Sequence, residues 1–175
     1  GRGGVIARSN ERLAATDGAL ATIGGALARA KELAIEGGNE TLTATQRVGI
    51  AVEIRQLREA ALAAANARAS DGEYLFAGSL GAAEPFDPAG VYVGDASVRA
   101  IESSEGGSQI VTLDGTVLTA ASGVDVFAAF DGLASRLEAN DPAGVRASIG
   151  GLDTAIGQLA AARSEGGALS AALLV

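Results

Sequence analysis

The sequence predicts a mainly α fold: an elongated antiparallel bundle of long helices, a rod, carrying a small antiparallel β region. Three observations lead there. Apolar residues recur at helical steps from about residue 10 to 69, on both sides of a short polar turn. Between about 73 and 122 the pattern turns to strand formers broken by turn signals. Helical spacing then returns near Val124 and persists to the end of the chain. The division is therefore a rod domain of residues 10–72 and 124–175, an inserted β region at 73–123, and a frayed N-terminus at 1–9.

The first helix is expected from about Asn10 to Glu36. Leu13, Leu20, Leu27 and Ala34 stand seven apart, with Ile23 and Ala30 three residues after two of them. Gly24-Gly25 costs it about 1 kcal/mol per glycine relative to alanine. That pair reads equally as a tolerated weak spot or as a point of close helix approach. Gly37 ends the helix. Thr43 and Gln46 form the Thr-x-x-Gln capping box of the second helix. Its seam is Ile50, Ile54, Leu57, Ala61 and Ala64, and it stops before Ser70-Asp71-Gly72. Each helix would be about 40 Å long at 1.5 Å per residue, and neither could bury its stripe alone. Arg29, Lys31, Glu32 and Glu36, with Arg55, Arg58 and Glu59 on the second helix, read as a solvated charged face.

The β region is expected to begin with Glu73 to Gly78, and Val91 to Val93 reads as a short strand. Pro85 and Pro88 frame a loop around Phe86, and Val98 to Glu102 alternates apolar and polar residues. Asp114-Gly115, flanked by Ile110 to Leu113 and Thr116 to Thr119, has the form of a type I′ hairpin turn. The third helix follows from about Val124 to Asn140, with Phe127, Phe130, Leu133 and Leu137 on one face. Asp141-Pro142 opens the last helix with an N-cap and a proline at the first helical position. Its seam is Val145, Ile149, Leu152, Ile156 and Leu159. The first, second and last helices should form the bundle, with the third at one end.

Composition excludes much chemistry. Without cysteine or histidine there is no Ser-His-Asp triad, no Cys-His pair and no His/Cys metal site. Scattered carboxylates such as Asp114, Glu102, Glu105, Asp125 and Asp141 are accounted for by turns, a β edge and helix caps. No phosphate-binding glycine loop or EF-hand is present, so neither an enzyme nor a cofactor is expected. Asn39-Glu40-Thr41 fits a glycosylation sequon and is read as a turn. The net charge of −8, concentrated in 73–123, disfavours nucleic acid and anionic membranes as partners. Among apolar residues alanine is the commonest, so helices can approach closely over a thin core. The chain lacks methionine, even at position 1, and ends in helical pattern, so it is expected to be an internal piece of a longer chain.

Several stretches resemble a known family. Leu27-Ala-Arg-Ala-Lys-Glu-Leu-Ala-Ile35 is similar to the Leu-x-Arg-x-Arg-Glu-Leu-Ala stretch of the bacterial flagellins and their relatives. Ile54-Arg-Gln-Leu-Arg-Glu59, Ala65-Asn-Ala-Arg68 and Tyr74-Leu-Phe-Ala-Gly78 resemble the hook–filament junction branch of that family, hook-associated protein 3. Pro85-Phe86, Tyr92-Val-Gly-Asp95 and the Val126 to Phe130 segment follow in the same order.

The resemblance implies structural work: a rod that packs side by side in a tube and joins hook to filament. It implies partners on the hook and filament sides and copies of itself. It also implies export through the flagellar secretion channel to an extracellular position in the flagellum. The terminal coiled-coil segments and export signal would lie outside this stretch, which alone should be monomeric. Arg29, Leu33 and Glu53 match family positions recognised by the receptor that senses flagellin, and stand as a lateral or receptor contact surface. Two alternatives remain: a filament flagellin with a reduced outer domain, and a free-standing binding module that uses the β insertion.

Overall fold

The computed structural model describes residues 2–96, 100–102, 108–110 and 113–174. Five helices dominate them: α1 (Arg2–Gly37), α2 (Ala44–Ala65), α3 (Val126–Glu138), α4 (Pro142–Ala147) and α5 (Ile149–Leu174). At 1.5 Å per residue the 36 residues of α1 span about 54 Å, so α1 is the backbone of an elongated bundle. α2 returns along its C-terminal half, and α5 runs antiparallel along most of its length. Two ion pairs and a hydrogen bond mark that path: Lys31 with Asp153 at 2.7 Å, Asp17 with Arg163 at 2.9 Å, and Asn10 with Ser170 at 2.9 Å.

The local signals act through identifiable bonds. Gln46 N–H donates to Thr43 Oγ1 at 3.1 Å, and the Gln46 side-chain oxygen accepts from Thr43 N–H at 2.8 Å, which completes the capping box. Asp125 caps α3 by accepting from Ala128 N–H at 3.0 Å. Asp141 caps α4 in the same way through Gly144 N–H at 2.9 Å. The expected last helix is two segments, because α4 and α5 meet at Ser148, itself in helical conformation.

Several expectations are corrected, and the open reading of Gly24-Gly25 is decided. The N-terminus at 1–9 is not frayed where it is described: α1 begins at Arg2, and Ser9 is buried. The third helix does not sit at one end. α3 lies against α2, where Arg58 meets Asp131 at 2.9 Å and Arg55 meets Glu138 at 2.7 Å. A Cβ built at Gly24 or Gly25 meets no atom within 4 Å, so these glycines mark an open stretch of α1 and not a close approach. Gly37 does end α1, yet what demands glycine is space. A Cβ there would lie 2.6 Å from Leu137 Cδ2.

A further correction concerns the β region. Among the described residues the expected sheet over 73–122 shrinks to one short antiparallel pair. Ala100–Glu102 (β1) pairs with Ser108–Ile110 (β2) over three residues, and only isolated bridges join Arg68 to Tyr74 and Phe86 to Tyr92. Val98, Glu105, Val111 and Thr112 lie outside the described residues. Asp114-Gly115 makes no hairpin turn. Asp114 accepts from Thr116 N–H at 2.8 Å and caps a 3₁₀ turn at Gly115–Leu118 instead. Burial explains the choice: Leu118 is fully enclosed in the core, and the missing side chain of Gly115 leaves room for the Tyr92 ring. Packing overrides the local turn preference.

In 66–96 and 113–124 side chains reinforce scattered backbone bonds such as Leu75 N–H to the Ala67 carbonyl and Gly115 N–H to the Phe76 carbonyl. Asn66 at the end of α2 pairs with the backbone of Phe86 in both directions, each bond 2.9 Å. Gln158 on α5 donates to the carbonyls of Val117 at 2.8 Å and Val124 at 3.1 Å and accepts from Val124 N–H at 2.9 Å. Phe86 packs on Tyr92 and Phe127 with ring centroids 5.1 and 5.4 Å apart, in the tilted geometry aromatic pairs prefer. The Tyr92 hydroxyl bonds the Phe76 carbonyl at 2.9 Å, and desolvation pushes its pKa up to about 12.

Candidate interaction surfaces

The seam residues distribute as follows. Leu13, Leu20, Leu27, Ile54, Leu152 and Leu159 are buried, while Ile50, Leu57, Ile149 and Ile156 are half-buried at the margins of the same core. All except Leu13 belong to, or pack on, one contiguous apolar cluster that also holds Phe76, Phe86, Phe127 and Phe130.

The contact-surface residues do not all reach the surface. Arg29, exposed, and Glu53, partly exposed, form a two-bond ion pair of 2.7 and 3.2 Å across the α1–α2 boundary. Hydrogen bonds to Glu53 and Glu32 raise the Arg29 pKa further above its ordinary value. Leu33 is only 3% exposed and belongs to the core. Together with Glu36, Gly49 and Ile50 these residues line an open groove of about 300 Å³. It is open to solvent, and its Arg29 and Glu53 are already paired with each other, so it offers little to hold a small ligand.

Three buried arginines were not legible in the sequence, where Arg58 counted as part of a solvated face. Arg12 on α1 donates to the Tyr74 carbonyl at 2.8 Å. Arg58 bonds Asp131, Glu59 and the Pro88 carbonyl and lies 5.7 Å from the Phe127 ring centroid. Arg47 donates to the carbonyls of Gly37 at 3.0 Å and Asn39 at 2.7 Å and to Asn140 Oδ1 at 2.6 Å. Arg146 adds the Gly38 carbonyl at 2.7 Å. α1 has no basic residue in its last turn, so guanidinium groups from α2 and α4 satisfy its terminal carbonyls and oppose its dipole. A lone basic residue among apolar neighbours at helical spacing was the available signal.

Among the described residues no group of three or more His, Cys, Asp or Glu side chains could hold a metal ion. No helix among them is long and apolar enough to cross a membrane. What the geometry presents is an elongated helical bundle with several ion pairs along its sides and an acidic loop layer at 70–96.

Residues 7–80 match the bacterial flagellin N-terminal helical region. A sequence comparison with curated proteins finds no match. Solved structures are more informative. A Vibrio parahaemolyticus protein described as a flagellar hook-associated protein superposes with a TM-score of 0.88 at 22% identity, over 98% of this chain and 80% of its own. FlgL from Xanthomonas campestris gives 0.86 at 20% identity, over 97% and 91%. The fold is that of the flagellar hook-associated proteins. The flagellar junction protein FlgL from Legionella pneumophila agrees, with a TM-score of 0.81 at 16% identity over 97% of this chain and 93% of its own. The hook-associated fold therefore accommodates almost the whole chain, including the irregular segment between α2 and α3 where a sheet was expected.

Proposed function

We propose that this chain is a structural subunit of the bacterial flagellum, an adaptor joining hook to filament, with no enzymatic role. One observation carries the reading: the flagellin-type N-terminal region and the hook-associated fold coincide on a chain that those structures cover almost end to end. Its partners would be the hook-side and filament-side proteins and further copies of itself. It would reach an extracellular position through the flagellar secretion channel. Residues 10–72 and 124–175 serve as the rod, and 73–123 as the part turned outward.

A deletion of the gene tests this reading, with electron microscopy of the cells and an assay of the medium for flagellin. Hooks without filaments, together with flagellin in the medium, are the expected result. Hooks without filaments and no released flagellin would favour a filament flagellin instead. Normal filaments would refute a flagellar role for a single-copy gene.

Contact with a flagellin-sensing receptor at Arg29, Leu33 and Glu53 is a narrower proposal. It would engage the exposed ion pair and very little of Leu33. Absence of binding to the receptor ectodomain at micromolar concentration would remove it.

A further inference from the structure

The chain has four asparagines, and the side chains of three are tied to distant parts of the fold. Asn10 Oδ1 accepts from the Ser170 hydroxyl at 2.9 Å, Asn140 Oδ1 accepts from Arg47 at 2.6 Å, and Asn66 holds the Phe86 backbone. The Asn39 side chain is different. It is exposed in the turn between α1 and α2. Its Oδ1 accepts from the backbone N–H of Thr41 at 3.0 Å and from the Thr41 hydroxyl at 2.8 Å. Both partners lie within Asn39-Glu40-Thr41, the single Asn-x-Ser/Thr tripeptide of the sequence.

The backbone of this turn is fixed by other groups. Arg47 donates to the carbonyls of Gly37 and Asn39, Arg146 donates to that of Gly38, and Leu42 N–H donates to that of Asn39 at 3.1 Å. Asn39, Glu40 and Thr41 are all left exposed at the end of the bundle. A backbone N–H can only donate, so the amide atom that faces Thr41 N–H is the oxygen. The amide nitrogen therefore points away from Thr41, and no described residue accepts a bond from it. The Thr43 hydroxyl, by contrast, is occupied in capping α2. A hydroxyl two residues after an exposed asparagine is the feature that asparagine-glycosylating enzymes read, and a surface turn lets such an enzyme reach both groups at once.

We propose that Asn39 is an asparagine-linked glycosylation site, modified by a transferase that uses a sugar activated on a diphosphate. In the transfer, the bond between the anomeric carbon and a phosphate oxygen breaks, and a bond from that carbon to Asn39 Nδ2 forms. The diphosphate leaves with the bonding electron pair, the displaced amide proton passes to a base of the transferase, and nothing is oxidised or reduced. Attachment at Nδ2 breaks none of the bonds that hold the turn, because those use Oδ1 and the backbone. The inference goes beyond the flagellar role proposed above and stands without it.

Trypsin cuts after Lys31 and Arg47, so Asn39 falls within one peptide, 32–47. The test is mass spectrometry of the protein immunoprecipitated from the organism that encodes it, with the same chain made by cell-free translation as the unmodified reference. The expected result is that most of peptide 32–47 is heavier than the reference by one or more sugar residues, with fragmentation placing the addition on Asn39. An adduct of one sugar residue identifies a nucleotide-linked donor, and a preassembled chain of sugars a lipid-linked donor. Asn39→Gln and Thr41→Ala should each abolish the addition, and Thr41→Ser should keep it. Thr41→Ala should also melt like the wild type, because that side chain is exposed and outside the helix cap, which separates loss of the sugar from misfolding. Peptide 32–47 found only at its unmodified mass overturns the proposal. So does a sugar on Thr41, Thr43 or Thr45, or a sugar on Asn39 that survives Thr41→Ala.

Discussion

Gln158→Glu changes one atom of the side chain that ties segment 117–124 to α5. The wild-type Nε2 faces the carbonyls of Val117, Thr119 and Val124 at 2.8, 3.3 and 3.1 Å. Glutamate puts a second acceptor there, so the donated bonds are lost and a charge is aimed at carbonyl oxygens. At about 1 kcal/mol net per lost bond, with a further penalty for the poorly solvated charge, the cost at neutral pH is about 3 kcal/mol. For a chain of this size each kcal/mol shifts Tm by about 2–4 °C, giving a drop of about 6–12 °C.

The loss should depend on pH with a definite sign. Burial and the facing carbonyls raise the folded-state pKa of the new carboxyl above its unfolded value near 4.3. Below the unfolded value both states are protonated, one donor is restored, and most of the deficit disappears. As pH rises through the folded-state value, the unfolded chain ionises more readily, and the deficit grows to its full size. Thermal melts followed by circular dichroism at pH 4, 5.5 and 7, each referred to wild type at the same pH, measure it. A deficit that stays constant or shrinks with rising pH would refute the assignment of Gln158 as donor to these carbonyls.

Other substitutions probe the rest of the fold. Ile54→Asp puts an unpaired charge at a fully buried position and should cost more than about 4 kcal/mol, so an unchanged melt would show that the seam is misplaced. Arg47→Met removes three bonds that close the tip of the rod and should cost about 2–3 kcal/mol in chemical denaturation; a change below about 0.5 kcal/mol would deny the capping role. Gly24→Ala and Gly25→Ala should each raise stability by up to about 1 kcal/mol, because the helix gains propensity and nothing is crowded. Gly37→Ala should lower it by pressing on Leu137, and equal effects at all three glycines would undo that distinction.

Much of the helical architecture was readable because its causes are local. A capping box at Thr43, aspartate caps at Asp125 and Asp141, and apolar residues at steps of three and four act within a turn or two of helix. Those signals located α2, α3 and the start of the last helix without any knowledge of their neighbours. The same residues contain no histidine or cysteine, which by itself removes whole classes of catalysis and metal binding. Segment 73–122 lacks such self-sufficiency. Its strand formers are there to be buried, and whether Tyr74, Tyr92 and Leu118 join a sheet depends on what lies beneath them.

Tertiary structure alone decided that Asp114 caps a 3₁₀ turn, that Gly37 is a contact and Gly25 an opening, and that Arg12, Arg47 and Arg58 go inside. The physical reason is common to all three. A turn preference is worth at most about 1 kcal/mol, whereas enclosing a leucine or leaving terminal helix carbonyls unpaired is worth several times that. Those stronger effects depend on residues distant in sequence, such as Gln158 for Val117 and Arg146 for Gly38, and they act only when the helices are brought together.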